Sequence, residues 1–297
     1  MKFWDTYANK NDGIIHQYDL KRPSNRVGII LIYVFMILLS IMFLYPMVWL
    51  CFAIFKSGGE LKSTTQMLPK VWQWEDLKRS WIQLQFGKAY FYSFYEAIGA
   101  TLVAIVFNGI FGYVLGVLKP RGSKFLWAVL MAIMLVPGTC NFVISFRMIT
   151  NINIALGLKA TFWPLILGAG CSAFNVMMFK TFFEQIPRDY VEAARLDGAG
   201  NIQIFARLIL PLSKPIIAVI GINQFIGSWS NFLMPYLLLG NTGKETVMVR
   251  LYQQTGQGGV VTNQLRAALF SMIVPIIMFC IFQKQIMNNN TASGVKG

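Results

Sequence analysis

Long apolar runs separated by short polar connections dominate this chain of 297 residues. A helix that crosses a bilayer needs about 20 mainly apolar residues, because each residue rises roughly 1.5 Å and the hydrocarbon core is about 30 Å thick. Six runs meet this requirement, so the pattern predicts an all-α, polytopic membrane protein with six transmembrane helices. The runs cover residues 27–55, 90–118, 125–149, 161–183, 216–239 and 265–287.

The polar segments between these runs differ in character. Residues 56–88 carry three tryptophans beside charged residues, which is typical of a segment at the membrane interface. Residues 184–213 are amphipathic and too charged to cross the bilayer. The first run is too long for a signal peptide and lacks a small-residue cleavage site, so we predict a retained helix. The predicted organisation is an N-terminal segment, a transmembrane domain and a C-terminal tail, at residues 1–26, 27–287 and 288–297.

Composition supports the membrane assignment. Hydrophobic residues make up 56% of the chain and charged residues 13%, about half of the usual charged fraction of about 25% in soluble domains. The net charge of +14 would suggest a nucleic-acid partner in a soluble protein. Here the basic residues flank apolar runs, so membrane lipid is the expected environment and no nucleic-acid partner is expected.

The distribution of lysine and arginine predicts the orientation. Connections that alternate along the chain place 15 basic residues on one side of the membrane and 9 on the other. Short loops carry the most weight, and the basic turn at residues 119–124 lies on the richer side. We therefore expect both termini, this turn and residues 184–213 in the cytoplasm.

Residues suited to catalysis or to metal binding are scarce. The four cysteines each lie in an apolar run without a CxxC spacing, which favours simple packing. The single histidine, His16, has no neighbouring ligands, and no carboxylate pair or nucleophile–base pair is recognisable. The chain also lacks a GxxxxGK[ST] phosphate loop, so we do not expect it to bind ATP in that way. We predict a protein that is not an enzyme and binds no metal.

Residues 184–213 contain the most informative local pattern. Pro187 suits the start of a short helix, Asp189 and Glu192 favour its positive N-terminal end, and Gly198 can end it in a left-handed conformation. A second amphipathic piece follows, with Ile202, Phe205 and Ile209 at helical spacing. One interpretation is a helix that lies on the membrane, and the other is a helix that docks into a groove of a partner protein. The charged first helix favours the groove.

The same residues resemble a known motif, the cytoplasmic EAA motif of ABC importer permeases. The pattern consists of Glu-Ala-Ala, a glycine four residues later, then an aliphatic residue and Leu-Pro at fixed spacing. It is carried by Glu192, Ala193, Ala194, Gly198, Leu208, Leu210 and Pro211, with leucine instead of isoleucine at 208. Further residues resemble the maltose-type carbohydrate subgroup, although Ser230 departs from its usual pattern; they are Ile186, Pro187, Asp197, Lys214, Pro215, Trp229, Asn231, Phe232, Pro235 and the ending from Thr291.

The resemblance implies a type I ABC importer permease in a bacterial cell membrane. The helix around Glu192 would be a coupling helix, with Ala193, Ala194, Asp197, Gly198, Leu210 and Pro211 completing the docking motif. The implied partners are a second permease subunit, two ATP-binding subunits that hold ATP and magnesium, and an extracytoplasmic solute-binding protein. The implied cargo is a sugar or oligosaccharide.

Polar side chains inside the predicted spans are candidates for the substrate path, because burying them in a bilayer is costly. Trp229 and Asn231 could offer stacking and amide hydrogen bonds to a sugar. Interhelical hydrogen bonding is the alternative role, and each such bond contributes only about 0.6 kcal/mol. The full set is Asn141, Ser145, Asn175, Asn223, Gln224, Trp229 and Asn231.

Several functions remain open at this point. An ABC permease for another solute, such as a glycerophosphodiester, a polyol or an amino acid, fits the same motif. A secondary transporter or channel that works alone would need ionisable residues near mid-membrane, which are almost absent here. A membrane-embedded enzyme and a signalling or scaffold protein are further alternatives. Prolines inside the predicted spans suggest kinked helices and mildly favour transport.

Overall fold

The computed structural model describes residues 23–62, 66–256 and 260–292, in which every regular element is helical. Most of the predicted N-terminal segment and the last five residues of the predicted tail lie outside these ranges. The chain divides into two units, one up to Gln73 and one from Trp74 onward.

The first unit contains one long helix. Helix α1 (Pro23–Ala53) agrees with the first predicted span, and the apolar side chains along it are exposed, as expected for a helix in contact with lipid. A short helix α2 (Gly58–Lys62) follows. Trp72 then packs on Phe55, with ring centroids 5.0 Å apart, so part of the tryptophan-rich segment folds back on the end of α1.

The second unit begins with two helices that meet at Gln85. Helix α3 (Trp74–Gln83) is amphipathic and is fixed to a later helix through Arg266, which donates to Ser80 Oγ at 2.9 Å. Helix α4 (Phe86–Leu118) corresponds to the second predicted span and begins four residues earlier than predicted. The remaining helices are α5 (Ser123–Leu135), α6 (Gly138–Ala155), α7 (Trp163–Cys171), α8 (Ala173–Phe183), α9 (Arg188–Leu196), α10 (Asn201–Leu212), α11 (Lys214–Ser230), α12 (Leu233–Leu239), α13 (Val247–Gly256) and α14 (Val261–Ala292).

The third predicted span is not one straight helix. Helices α5 and α6 meet at an angle of 106°. The break falls at Val136 and Pro137, both of which have extended ψ angles of 120° and 130°. Proline has no N–H for the helix and disfavours helical geometry in the residue before it, which explains why a continuous apolar run is interrupted here.

The fourth predicted span is also bent, by 44° between α7 and α8. Asn108 of α4 is fully buried beside this break. Its Nδ2 donates to Ala169 O at 3.0 Å, and its Oδ1 accepts from Ser172 N at 3.0 Å. One amide therefore satisfies a carbonyl and an N–H that the break leaves without helical partners.

The fifth predicted span, 216–239, also differs from the structure. Helix α11 ends at Ser230, Asn231 is extended with ψ 125°, and α12 begins at Leu233. The sixth span, predicted at 265–287, lies within α14. Among the described residues three unbroken helices could cross a membrane, or up to six if each bent pair is one span.

Two apolar clusters hold the second unit together. The tryptophan cluster joins α3, α4, α11 and α14 around Trp81, Phe86, Phe225, Trp229 and Phe270. The loop cluster joins α4 and α8 to residues 184–213 and the first turns of α11; its members are Tyr113, Phe179, Phe183, Val191, Ile204, Ile209, Ile216 and Ile220. The loop cluster anchors the segment that carries the sequence motif.

Candidate functional site

Helix α9 begins and ends as its sequence predicts. Pro187 precedes it, with φ −56° and ψ 133°. At its end Gly198 adopts φ +82°, Ala199 N donates to Ala194 O at 2.9 Å, and Gly198 N donates to Arg195 O at 3.0 Å. These two bonds form a Schellman motif, which satisfies the last carbonyls of the helix and turns the chain sharply.

Most of the surface of α9 is exposed. Val191 alone is buried, in the loop cluster, while Glu192 and Ala193 face outward and Leu196 is 90% exposed. Within the described residues Glu192 forms no ion pair. A charged and apolar surface held outward by a single buried residue is suited to contact with another protein.

Helix α10 places its apolar residues differently from the prediction. Ile209 is buried as expected, but Ile202 is 83% exposed and Ile204 takes the inner position. The cause is a π-helical turn over Phe205–Ile209, which is wider than an α turn and shifts the buried stripe to positions 204 and 209. Ile202 therefore adds to the exposed apolar surface that Leu196 begins.

A buried serine lies at the far end of the loop. Ser213 is fully buried, and its Oγ donates to Ile209 O at 2.7 Å. Leu210 is half-buried and Pro211 exposed just before this point, where α10 and α11 meet at 82°. The structure thus gathers Glu192, Ala193, Ala194, Asp197 and Gly198 at one end of the loop and places Leu210 and Pro211 at the other end.

An ion-pair cluster that the sequence reasoning missed lies where the loop begins. Glu184 follows α8 directly, and its two oxygens lie 2.8 Å from Lys119 Nζ and 2.8 Å from Lys180 Nζ. These hydrogen bonds, from Lys119 first and Lys180 second, lower the pKa of the Glu184 carboxyl. Lys119 was assigned to the orientation signal alone; the i, i+4 spacing of Lys180 and Glu184 is the only part of this cluster that a sequence pattern could have indicated.

The substrate-path candidates lie in different settings. Asn141 and Ser145 are exposed on α6, and Asn175 is buried in the first turn of α8. Trp229 is only 2% exposed and donates from Nε1 to Ser271 O at 3.1 Å, so its ring fills the tryptophan cluster in this conformation. Gln224 donates to Ser228 Oγ at 3.2 Å.

Helix α11 also carries an exposed polar stripe. Asn223, Gly227 and Ser230 are exposed at spacings of about one turn, opposite the buried positions Ile222, Phe225 and Trp229. Asn231, which follows the last residue of the helix, is also exposed. Of the predicted residues, Asn223 therefore lies on this exposed face, and Asn231 is exposed just beyond its end. Asn108, which holds the bend between α7 and α8, is not among the predicted residues, although a lone amide in an apolar run is a signal that could have indicated it.

Comparison with known proteins identifies relatives along most of the chain. A family described as "Binding-protein-dependent transport system inner membrane component" matches residues 108–289. The chain is 29% identical over 259 residues to a diacetylchitobiose uptake system permease protein of Streptomyces coelicolor, covering 84% of this chain and 83% of the relative. It is 27% identical over 283 residues to an arabinooligosaccharides transport system permease protein of Bacillus subtilis, covering 93% and 98%.

The fold is also found in a solved structure. It is the crystal structure of a bacterial ABC transporter involved in the import of the acidic polysaccharide alginate. A chain of that transporter superposes with a TM-score of 0.78 at 22% sequence identity, covering 89% of this chain and 98% of the other.

Proposed function

We propose a specific role for this chain, which belongs to the family of binding-protein-dependent transport system inner membrane components: it forms part of the path by which an ATP-driven importer moves a sugar or oligosaccharide into the cell. A solute-binding protein outside the membrane delivers the cargo. A second permease subunit completes the path, and two ATP-binding subunits supply the energy.

The observation that carries this proposal is the arrangement of α9. Its outward face combines Glu192, which forms no ion pair in the part of the chain that the structure describes, with the small and apolar side chains of Ala193 and Leu196. Val191 fixes the helix to the body of the protein. A groove in an ATP-binding subunit with one basic residue would match this face in both charge and shape. Because the chain has no phosphate loop, ATP and magnesium belong to those partner subunits.

Carbohydrate cargo is supported by the relatives, which are named for the uptake of diacetylchitobiose and arabinooligosaccharides. The exposed stripe of α11 offers amide and hydroxyl groups, from Asn223, Ser230 and Asn231, that can hydrogen-bond to sugar hydroxyls. Gly227 leaves room beside them, since nothing lies within 4 Å of the position of a Cβ there. We assign the cargo path to this stripe, with Gln224, Asn175, Asn141 and Ser145 as further candidates.

Trp229 is also a candidate for contact with the cargo, but its side chain is enclosed in this conformation. Its ring is enclosed by Tyr90, Phe94 and Phe225, with centroids 5.2 to 6.2 Å away. It reaches cargo only in a conformation that opens the tryptophan cluster.

An importer for a polyol or a glycerophosphodiester is the second candidate function, because the stripe would hydrogen-bond to any hydroxyl-rich solute.

The test is ATP hydrolysis by the complex purified through a tag on this chain and reconstituted with its binding protein. A panel of oligosaccharides and polyols is added to the wild type and to Glu192→Ala. We expect one class of oligosaccharide to stimulate hydrolysis and Glu192→Ala to lose that stimulation together with part of the bound ATP-binding subunit. Glu75→Ala, which removes an exposed carboxylate from α3, is the matched control and should behave as the wild type.

Full stimulation in Glu192→Ala would contradict the docking role of α9. Stimulation by polyols and not by any oligosaccharide would replace the first cargo class with the second.

A further inference from the structure

The clearest unexplained feature is the triad of Lys119, Glu184 and Lys180. Each oxygen of the Glu184 carboxylate binds a different ammonium group at 2.8 Å. Lys180 is the most buried of the three side chains, at 15% exposure, and its ammonium also lies 4.2 Å from the centre of the Trp127 ring. The triad therefore connects the last residues of α4 and α8 and the first turns of α5.

The backbone is shaped to bring these groups together. Lys119 takes the left-handed conformation, with φ +45°, that ends α4 and directs the chain into the turn before α5. Gly116 lies one turn earlier, and a Cβ there would be 3.0 Å from Lys180 O. This close approach of α4 and α8 places the two lysines on either side of Glu184.

Glu184 is also the first residue of the segment that leads to α9. The groove beside it is lined by further charged groups, Arg188, Glu192 and Arg195. The carboxylate thus stands between the motif-bearing helix and the ends of the spanning helices. Without its charge, the two ammonium groups would lose the carboxylate that they share.

We infer that Glu184, held by Lys119 and Lys180, is a positioning residue that makes the ends of α4 and α8 follow the movement of α9. This role rests on the proposed function, since it presumes that ATP-binding subunits move α9. Val191 contributes apolar contact in the same region, and the triad adds a defined orientation, because two charged hydrogen bonds to one carboxylate fix its direction.

The test measures sugar transported per ATP hydrolysed in vesicles that contain the complete complex. Glu184→Gln keeps the shape of the side chain and removes its charge. Lys119→Gly removes one ammonium group and favours the left-handed backbone, so the turn itself is preserved. Lys119→Arg keeps the charge, and Lys124→Ala removes a neighbouring exposed basic residue that forms no ion pair in the described structure.

We expect Glu184→Gln and Lys119→Gly to retain the ATP-binding subunits and to hydrolyse ATP, while the sugar moved per ATP falls about fivefold, the lower end of typical coupling between sites. Lys119→Arg and Lys124→Ala should keep the wild-type ratio. An unchanged ratio in Glu184→Gln would overturn the inference, and so would loss of the whole complex in both triad variants, which would indicate a role in folding alone. A wild-type complex that no sugar stimulates would instead contradict the proposed function, and this inference with it.

Discussion

At Gly198 a single backbone angle determines how the motif-bearing loop is presented. With φ +82° this residue reverses the chain between α9 and α10, and nothing lies within 4 Å of the position of a Cβ. The requirement for glycine is therefore conformational rather than steric. In this left-handed region any other L-residue costs about 1–2 kcal/mol.

Replacing Gly198 by serine should weaken the attachment of the ATP-binding subunits, because the strained turn changes the position of Leu196 relative to Ile202. The matched control is Gly200→Ser. Gly200 also has open space around it, but its φ of −72° suits any residue, and serine is a good N-cap for α10. Co-purification of the subunits with each variant measures the difference. Equal retention in both variants would mean that the turn does not set the docking surface.

Other residues show how far the role of a side chain depends on its neighbours. Trp229 and Asn231 are two positions apart, and both are typical of sugar sites. The structure encloses the tryptophan and exposes the asparagine, because helix α11 ends between them. A residue list from sequence alone cannot separate the two.

At the scale of elements, the packing of α4 on α8 depends on a glycine. A Cβ at Gly112 would lie 2.5 Å from the Phe179 Cβ and 3.1 Å from Lys180 N, closer than real atoms approach. A Cβ at Gly109, one turn away, would meet nothing nearer than 3.6 Å, from the Phe205 ring. The two glycines lie in one helix, but Gly109 has space for a Cβ and Gly112 does not.

We expect Gly112→Ala to destabilise the protein by about 1–3 kcal/mol, because α4 and α8 must move apart. Gly109→Ala should be neutral or stabilising by up to about 1 kcal/mol, since alanine is the better helix former. Thermal unfolding of the two variants in detergent measures the difference. If Gly112→Ala unfolds at the wild-type temperature or above, the close contact of these helices is not needed for stability.

The breaks in the helices are of two kinds. One is caused by a proline in the sequence, and the other is stabilised by a side chain of a neighbouring helix. Pro137 accounts for the bend between α5 and α6. The bend between α7 and α8 has no proline at its centre, and it is the buried amide of Asn108 that satisfies the exposed backbone groups. A break at a proline can be predicted from the sequence. A break that is stabilised by another helix can be predicted only when the neighbouring helix is known.

At the scale of the whole molecule, the basic loops predict the orientation in the membrane. The turn at residues 119–124 and the segment 184–213 share the side on which the triad and α9 meet. The proposed docking of ATP-binding subunits would require that side to be cytoplasmic. The segment that contains α3 must then face the opposite side.

Single cysteines test this orientation in a variant without the four native cysteines. We expect Glu75→Cys to react with a membrane-impermeant maleimide in intact spheroplasts, and Lys124→Cys to react only after the membrane is broken. The reason is that the richer set of basic residues is retained in the cytoplasm. The cysteine-free chain is the control, and the reverse labelling pattern would contradict the predicted topology.

By itself the sequence determined the helical membrane class, the approximate position of most apolar helices and the glycine turn at Gly198. These features depend on the chemistry of neighbouring residues: apolar length, charge between runs, and residues such as Pro187 and Gly198 with strong backbone preferences. The family comparison confirms the class and the family. The predicted residue roles and the exact number of spans stay predictions.

Only the tertiary structure decided which side chains meet. It placed Glu184 beside Lys119, 65 positions away, set Asn108 against a break more than 60 residues later, and packed two aromatic rings of α4 on Trp229. The physical reason is that these pairings depend on how closely α4 and α8 can approach and where each helix ends. Such distances are set by the packing of the whole unit, and no local pattern along the chain records them.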